Sequence, residues 1–120
     1  MISKYEVGAL VNAEFKEELR PYKICLNIDL SLDLYRSIND LTQIAVHASK
    51  DHNLPLLNRC FGFVEKLYNQ GEHLVKQVIE NIFIYTIFDR MPQDKTERLI
   101  YQSFIPNTFR TIYLQQVMTV

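Results

Sequence analysis

Residues Pro55–Asp89 read PLLNRCFGFVEKLYNQGEHLVKQVIENIFIYTIFD, and this stretch decides the fold of the chain. On both sides of Gly71, apolar residues recur every three or four positions, the spacing of amphipathic helices. Gly71 interrupts the pattern, and we expect it to end the first helix in a left-handed cap. The stretch therefore predicts two helices joined by a short turn.

The first helix of this hairpin is predicted to start near Asn53, with Pro55 in its first turn. Its inward-facing residues are expected to be Leu57, Phe61, Val64 and Leu67. The second is predicted to run unbroken from Glu72, with the apolar stripe Leu74, Val75, Val78, Ile79, Ile82 and Phe83. β-Propensity alone would make residues 82–88 a strand, but the length of the periodic pattern favours a central helix that is apolar on most sides.

Further helices are expected on either side of the hairpin. The first begins after Ser3, which caps it with Glu6, and its stripe is Val7, Leu10, Val11, Phe15 and Leu19. A second runs from about Leu32 to Lys50 behind Ser31 as cap. Beyond the loop at residues 91–94, the pattern predicts short helices over residues 96–104 and from Asn107 to about Val117.

Residues 24–34 are ambiguous, because apolar and mostly polar residues alternate as they do in a half-buried strand. A lone strand has no partner within the chain, so an extended linker is expected over Pro21 to Leu30. Pairing of this segment with its copy in a homodimer would supply the missing partner, and it remains an alternative.

Composition supports one all-α domain over residues 1–120. The chain has 120 residues, 48% of them hydrophobic, and only three glycines, too few for a sheet protein with many tight turns. We expect a bundle of five or six helices around the central hairpin. The intervals of 34 and 37 residues between Pro21, Pro55 and Pro92 leave a short superhelical stack as an alternative.

Several functional classes are disfavoured by charge and hydropathy. The formal net charge is -1 and the basic residues are scattered, which argues against nucleic acid as a partner. The sequence contains neither a signal-peptide pattern nor an apolar run of membrane-spanning length, so we expect a cytoplasmic protein with no membrane partner. Cys25 and Cys60 are then expected to be thiols rather than a disulfide.

Catalytic and metal-binding patterns are weak. The residues His47, His52, Cys60 and His73 lack the spacing of a metal site, so no metal and no cofactor is expected. Glu65 and Glu80 lie within apolar runs and are the best candidates for acid–base chemistry or for lining a ligand pocket. A solvent-facing helix edge accounts for both more simply, and we expect no enzyme.

The C-terminal third is rich in aromatic residues, most of them expected in the core. Tyrosine at the rim of such a cluster is a favoured interface residue, because it combines a large contact area with one polar group. An aromatic groove between the last helices is therefore the predicted partner surface. Its residues are Tyr85, Tyr101, Phe104, Phe109 and Tyr113.

The block from Tyr35 to Asp89 resembles a poorly characterised family of small all-helical bacterial proteins regarded as immunity-like. The resemblance rests on the LLNRCFGF run ending at Phe63, on Glu65-Lys66-Leu67, on Gly71 and on VIENIFIYTIF from Val78 to Phe88. It implies a protein that neutralises a toxin by binding it, and no individual functional residue follows from it. We therefore expect a protein-interaction module, with a homodimeric regulatory protein or a ligand-binding bundle as alternatives.

Overall fold

The computed structural model describes residues 1–19 and 34–118, and in these residues the chain forms seven helices. The fold is all-α, as predicted. The helices are α1 (Val7–Glu14), α2 (Lys16–Leu19), α3 (Leu34–Lys50), α4 (Leu54–Gln70), α5 (His73–Val78, Ile79–Ile84 and Tyr85–Asp89 in succession), α6 (Lys95–Phe104) and α7 (Asn107–Met118).

Three long helices, α3, α4 and α5, pack against one another and form the centre of the molecule. α1 and α2 lie on α3, α6 lies on α4, and α7 lies on the middle of α5. The predicted hairpin is thus confirmed as the centre. The four inward-facing residues predicted for α4, Leu57, Phe61, Val64 and Leu67, are all buried, and the buried residues of α3 include Leu34, Ile38, Leu41, Ala45 and Ala48.

The start of α4 follows its sequence signals. The side chain of Asn53 accepts a hydrogen bond from the amide of Leu56 at 3.3 Å, and Pro55 occupies the first turn. Proline is tolerated there because its missing N–H would have no partner within the helix. α3 therefore ends and α4 begins within a few residues, which holds the two helices side by side.

The predicted left-handed cap at Gly71 is wrong. Gly71 is extended, with φ -78° and ψ 153°, a conformation open to any residue. Glycine is required here by space instead: an added Cβ would lie 2.6 Å from the carbonyl oxygen of Leu67 and 2.7 Å from Cγ1 of Val75. The turn brings α4 and α5 so close together that no side chain fits between them.

The predicted start of α1 at Ser3 is also wrong, because the first residues pair with the hairpin turn. The amide of Ile2 donates to the carbonyl of Gln70 at 2.6 Å, and its carbonyl accepts from the amide of Glu72 at 2.8 Å. The amide of Lys4 donates to the Glu72 carboxylate. This backbone pairing delays the helix to Val7, and Leu10 of the predicted stripe is exposed.

α5 is continuous through residues 82–88, so the helix prediction there is confirmed over the strand alternative. Its middle segment, Ile79–Ile84, is a π-helix, which the sequence did not indicate. The wider turn changes which residues face inward: Ile84 and Ile87 are buried, whereas Leu74 and Ile82 from the predicted stripe are only half-buried.

The side chain of Arg59 on α4 connects the N-terminal helices to the hairpin. Its guanidinium donates to the carboxylates of Glu14 at 3.3 Å and Glu18 at 2.9 Å, and to the Glu14 carbonyl at 2.6 Å. It also lies over the ring of Phe15, 4.9 Å from the centroid. The hydrogen bond to Glu18 is the main reason that the pKa of Arg59 is raised.

The predicted linker from Pro21 to Leu30, the cap at Ser31 and the thiol at Cys25 lie outside the described residues. The proposed strand pairing in a homodimer concerns the same segment, except that its last residue, Leu34, begins α3. Within residues 1–19 and 34–118, no helix combines the length and apolar character needed to cross a bilayer.

Candidate functional site

Two residues of the predicted partner surface belong to the core. Tyr101 and Phe109 are 3% and 1% exposed. They form the ends of a row of edge-to-face aromatic contacts, Tyr101–Phe61 at 6.0 Å, Phe61–Phe83 at 6.1 Å and Phe83–Phe109 at 6.1 Å. This row attaches α6 and α7 to the hairpin, so neither residue is accessible to a partner.

The other three residues of the predicted partner surface lie on three different helices. Tyr85 is 56% exposed on α5, and Phe104 is half-buried at the end of α6. Tyr113 is half-buried and stacks on Phe88, with ring centroids 4.3 Å apart and planes within 9°. Of the predicted set, only Tyr113 lines the cleft described next.

A cleft of about 400 Å³ lies where the end of α5, the following loop, α6 and α7 meet. We call it the C-terminal groove. The lining residues of α6 are four apart and those of α7 are three or four apart, so on each of these two helices they share one face. The lining residues are Phe88, Met91, Arg98, Gln102, Arg110, Tyr113 and Leu114.

The short connection between α6 and α7 creates this arrangement. Ile105 is extended, with ψ 123°, as expected for a residue that precedes proline, and its side chain is buried. Pro106 then leads directly into α7. α6 and α7 are thus neighbours, and the groove forms between their facing sides.

Both arginines of the groove are held by backbone carbonyls. Arg98 donates from Nε to the carbonyl of Pro92 at 3.1 Å, and Arg110 donates from Nη2 to the carbonyl of Gln102. Among the described residues, no carboxylate lies within ion-pair distance of either guanidinium. The groove therefore combines an apolar, aromatic wall with two positive charges that the described carboxylates leave uncompensated.

Two other clefts have smaller volumes than the C-terminal groove. One of about 70 Å³ is lined by the end of α3, the start of α4 and α6, and it includes His52 and Glu97, whose side chains are 3.5 Å apart at the surface. Tyr101 also borders this cleft, and burial raises its pKa to about 12 although a hydrogen bond with Ser49 lowers it. A third, of about 180 Å³, lies beside α3 and α4.

The two candidate acid–base residues have ordinary structural surroundings. Glu65 is half-buried on α4. Glu80 accepts a hydrogen bond from the hydroxyl of Tyr68 at 3.0 Å, while its backbone carbonyl accepts from the side chain of Gln116. Burial, followed by this contact with Glu80, raises the pKa of Tyr68 to about 12. Neither glutamate lines any of the three clefts.

The residues considered for a metal site are dispersed. His47 and His73 are exposed on α3 and at the start of α5, and Cys60 is buried in α4. Burial raises the pKa of the Cys60 thiol to about 12, so it is protonated at neutral pH. Over residues 1–19 and 34–118, no group of three or more His, Cys, Asp or Glu side chains could hold a metal ion.

Sequence reasoning missed Arg98, Arg110 and Leu114. The signal was present in the four-residue spacing of Arg98 with Gln102 and of Arg110 with Leu114. This spacing alone did not reveal the groove, because it does not show that the two helices are joined at Pro106 so that these faces become neighbours.

Comparison with known proteins identifies a family. Neither a curated protein nor a solved structure gives a significant match. Residues 9–119, from α1 to the end of α7, match one family over nearly the whole chain. The chain belongs to the family described as "Domain of unknown function (DUF7674)".

Proposed function

We propose that this protein is a protein-interaction module rather than an enzyme, and that it binds its partner through the C-terminal groove. The observation that carries the proposal is the composition of this groove. Aromatic residues, methionine and arginine are the types enriched at the centre of protein interfaces, and Phe88, Tyr113, Met91, Arg98 and Arg110 all line it.

The surroundings of the groove favour a macromolecular partner. Leu114 is 58% exposed at its edge, and Val117 is 51% exposed one turn further along α7. Clustered apolar side chains on a surface are typical of regions that another protein covers.

The chemistry of the groove supports binding rather than catalysis. None of its lining residues is an aspartate, glutamate, histidine, cysteine or serine. General acid–base or nucleophilic catalysis most often uses such a group, and Tyr113 is the only lining side chain of another type that such catalysis employs. Arginine side chains can orient an anionic group, but they do not act as general bases.

An immunity-like role is the specific form of this proposal. A protein of this kind binds a toxin and covers its active site or holds it inactive, with one or two buried aromatic residues supplying most of the affinity. The stacked pair Phe88 and Tyr113 is suited to that role, because it offers a flat apolar surface beside two positive charges.

Site-specific photo-cross-linking in cells of the source organism tests the proposal. A photoreactive phenylalanine replaces Leu114 in one variant and Tyr35 of α3 in the other; these residues are 58% and 59% exposed, so the two probes are matched. We expect a discrete adduct with another protein from position 114 and none from position 35.

Equal or absent adducts from both positions would contradict a binding role for the groove. An adduct between two copies of the chain would favour the homodimer alternative. If position 114 yields a partner, co-expression of that partner with and without this chain then tests neutralisation directly.

A further inference from the structure

Resting on the proposed function, we infer that the C-terminal groove selects an acidic segment of its partner, one in which carboxylates flank a leucine or an aromatic residue. The inference concerns the chemistry of the occupant. It follows from charge complementarity and from the size of the groove.

Charge is the first argument. Arg98 from α6 and Arg110 from α7 both line the groove, and their described partners are backbone carbonyls, not carboxylates. Each guanidinium has five N–H donors in a planar fork that matches a carboxylate. One donor of each is used to fix the side chain, so both forks are positioned in advance for an anionic group.

The surrounding charges do not cancel this preference. Glu97, next to Arg98, pairs with His52, and Asp94 accepts a hydrogen bond from the amide of Glu97 at the start of α6. These carboxylates are thus directed to other groups, and no acidic residue lines the groove. A basic segment would meet two like charges there, which disfavours it.

Size and apolar character define the rest of the occupant. About 400 Å³ lies within the range of pockets that accept a small ligand or a few side chains. The apolar and aromatic part of the lining consists of Phe88, Tyr113, Met91 and Leu114, which suits one leucine or aromatic side chain. An acidic segment with such an anchor satisfies both parts of the groove together.

Titration of the full chain with three synthetic peptides tests this inference. The peptides are EELFEE, its neutral counterpart QQLFQQ and the basic KKLFKK. NMR signals of the backbone amides and of the arginine side chains monitor each titration. We expect EELFEE to bind with a Kd on the order of 0.1–1 mM and to shift the signals of Arg98, Arg110 and Leu114. QQLFQQ should bind about fivefold more weakly, and KKLFKK more weakly still.

Matched variants locate the effect. The double variant Arg98→Gln/Arg110→Gln should weaken binding of EELFEE about fivefold to tenfold. Lys50→Gln/Lys66→Gln makes the same change in net charge at exposed residues outside the groove and should leave binding unchanged. Circular dichroism of both double variants checks that they are folded. The comparison of the three peptides uses the unmodified chain, so it stands even if a variant does not fold.

The inference is overturned if QQLFQQ or KKLFKK binds as well as EELFEE, if no peptide binds, or if the shifted signals lie outside the groove. Tighter binding of single-stranded DNA in the groove would also overturn it, because phosphate would then be the preferred anion. Peptide binding without a protein adduct at position 114 contradicts the proposed function alone. A protein adduct without acidic preference contradicts this inference alone.

Discussion

The hairpin of α4 and α5 and the C-terminal pair of α6 and α7 use their apolar residues differently. In the hairpin, large apolar side chains are mostly turned inward, and the exposed exception is Tyr85. In the shorter pair, four large apolar side chains are exposed among the described residues: Leu99, Ile100, Leu114 and Val117.

This difference suggests that the buried residues of the C-terminal pair stabilise the fold, whereas its exposed residues bind a partner. The residues of the C-terminal pair that hold it in place are few, chiefly Tyr101, Ile105, Phe109 and Ile112. The four exposed apolar residues of the pair are not buried in the core, so they are available for a partner. We therefore regard the hairpin as the scaffold and the C-terminal pair as the recognition surface.

The largest expected effect is on the aromatic row that joins the two regions. Phe83→Ala should lower the free energy of unfolding by about 3–5 kcal/mol, since Phe83 is fully buried between Phe61 and Phe109. Urea denaturation measures the loss. Tyr85→Ala, at an exposed position two residues further on, should change it by less than about 0.5 kcal/mol. Similar losses for the two variants would contradict the packing described.

The next effect concerns the turn within the hairpin. Gly71→Ala should cost about 1–3 kcal/mol, because its Cβ would overlap a backbone carbonyl and Val75. Gly62→Ala is the matched control: Gly62 lies within α4 with nothing within 4 Å of an added Cβ. That change should raise the free energy of unfolding by about 0.5–1 kcal/mol. If Gly71→Ala is also stabilising, the close approach of α4 and α5 is wrong.

The hairpin was predictable from sequence, because its periodic pattern is long and is bounded by Asn53, Gly71 and the loop at residues 91–94. What could not be predicted depends on contacts between distant residues. Ile2 pairs with the turn at Gly71, and this pairing displaces the start of α1. The π-helical segment Ile79–Ile84 likewise leaves no local sequence signal.

A smaller effect is expected where the N-terminal helices meet the scaffold. Arg59→Gln should lower the free energy of unfolding by about 1 kcal/mol, because it removes contacts with Glu14, Glu18 and the ring of Phe15 that are partly exposed to water. The loss should diminish in high salt. Arg90→Gln, an exposed control beyond α5, should have little effect. If Arg59→Gln lowers the free energy of unfolding no more than Arg90→Gln does, Arg59 does not stabilise the packing of the N-terminal helices on the hairpin.

The smallest effect on stability is expected in the recognition surface. Leu114→Ser should change the free energy of unfolding by less than about 0.5 kcal/mol, because the side chain is already exposed. The same variant should bind EELFEE about threefold more weakly, since an apolar contact is lost. A large loss of stability without a change in binding would assign Leu114 to the scaffold.

The candidate site was only partly predictable. The aromatic content of the C-terminal third pointed to the region in which the C-terminal groove lies, and Tyr113 lines this groove. Sequence could not distinguish Tyr113 from Tyr101 and Phe109, because all three occupy apolar positions of short helices. Burial depends on which faces meet across Pro106, and that is a property of the assembled fold.

Hydrogen exchange measured by mass spectrometry tests the division between scaffold and recognition surface most directly. Amides of residues 54–89 should exchange slowest, through global unfolding, and those of residues 95–118 faster, through local opening of the weakly attached pair. Equal or greater protection of residues 95–118 would contradict the division.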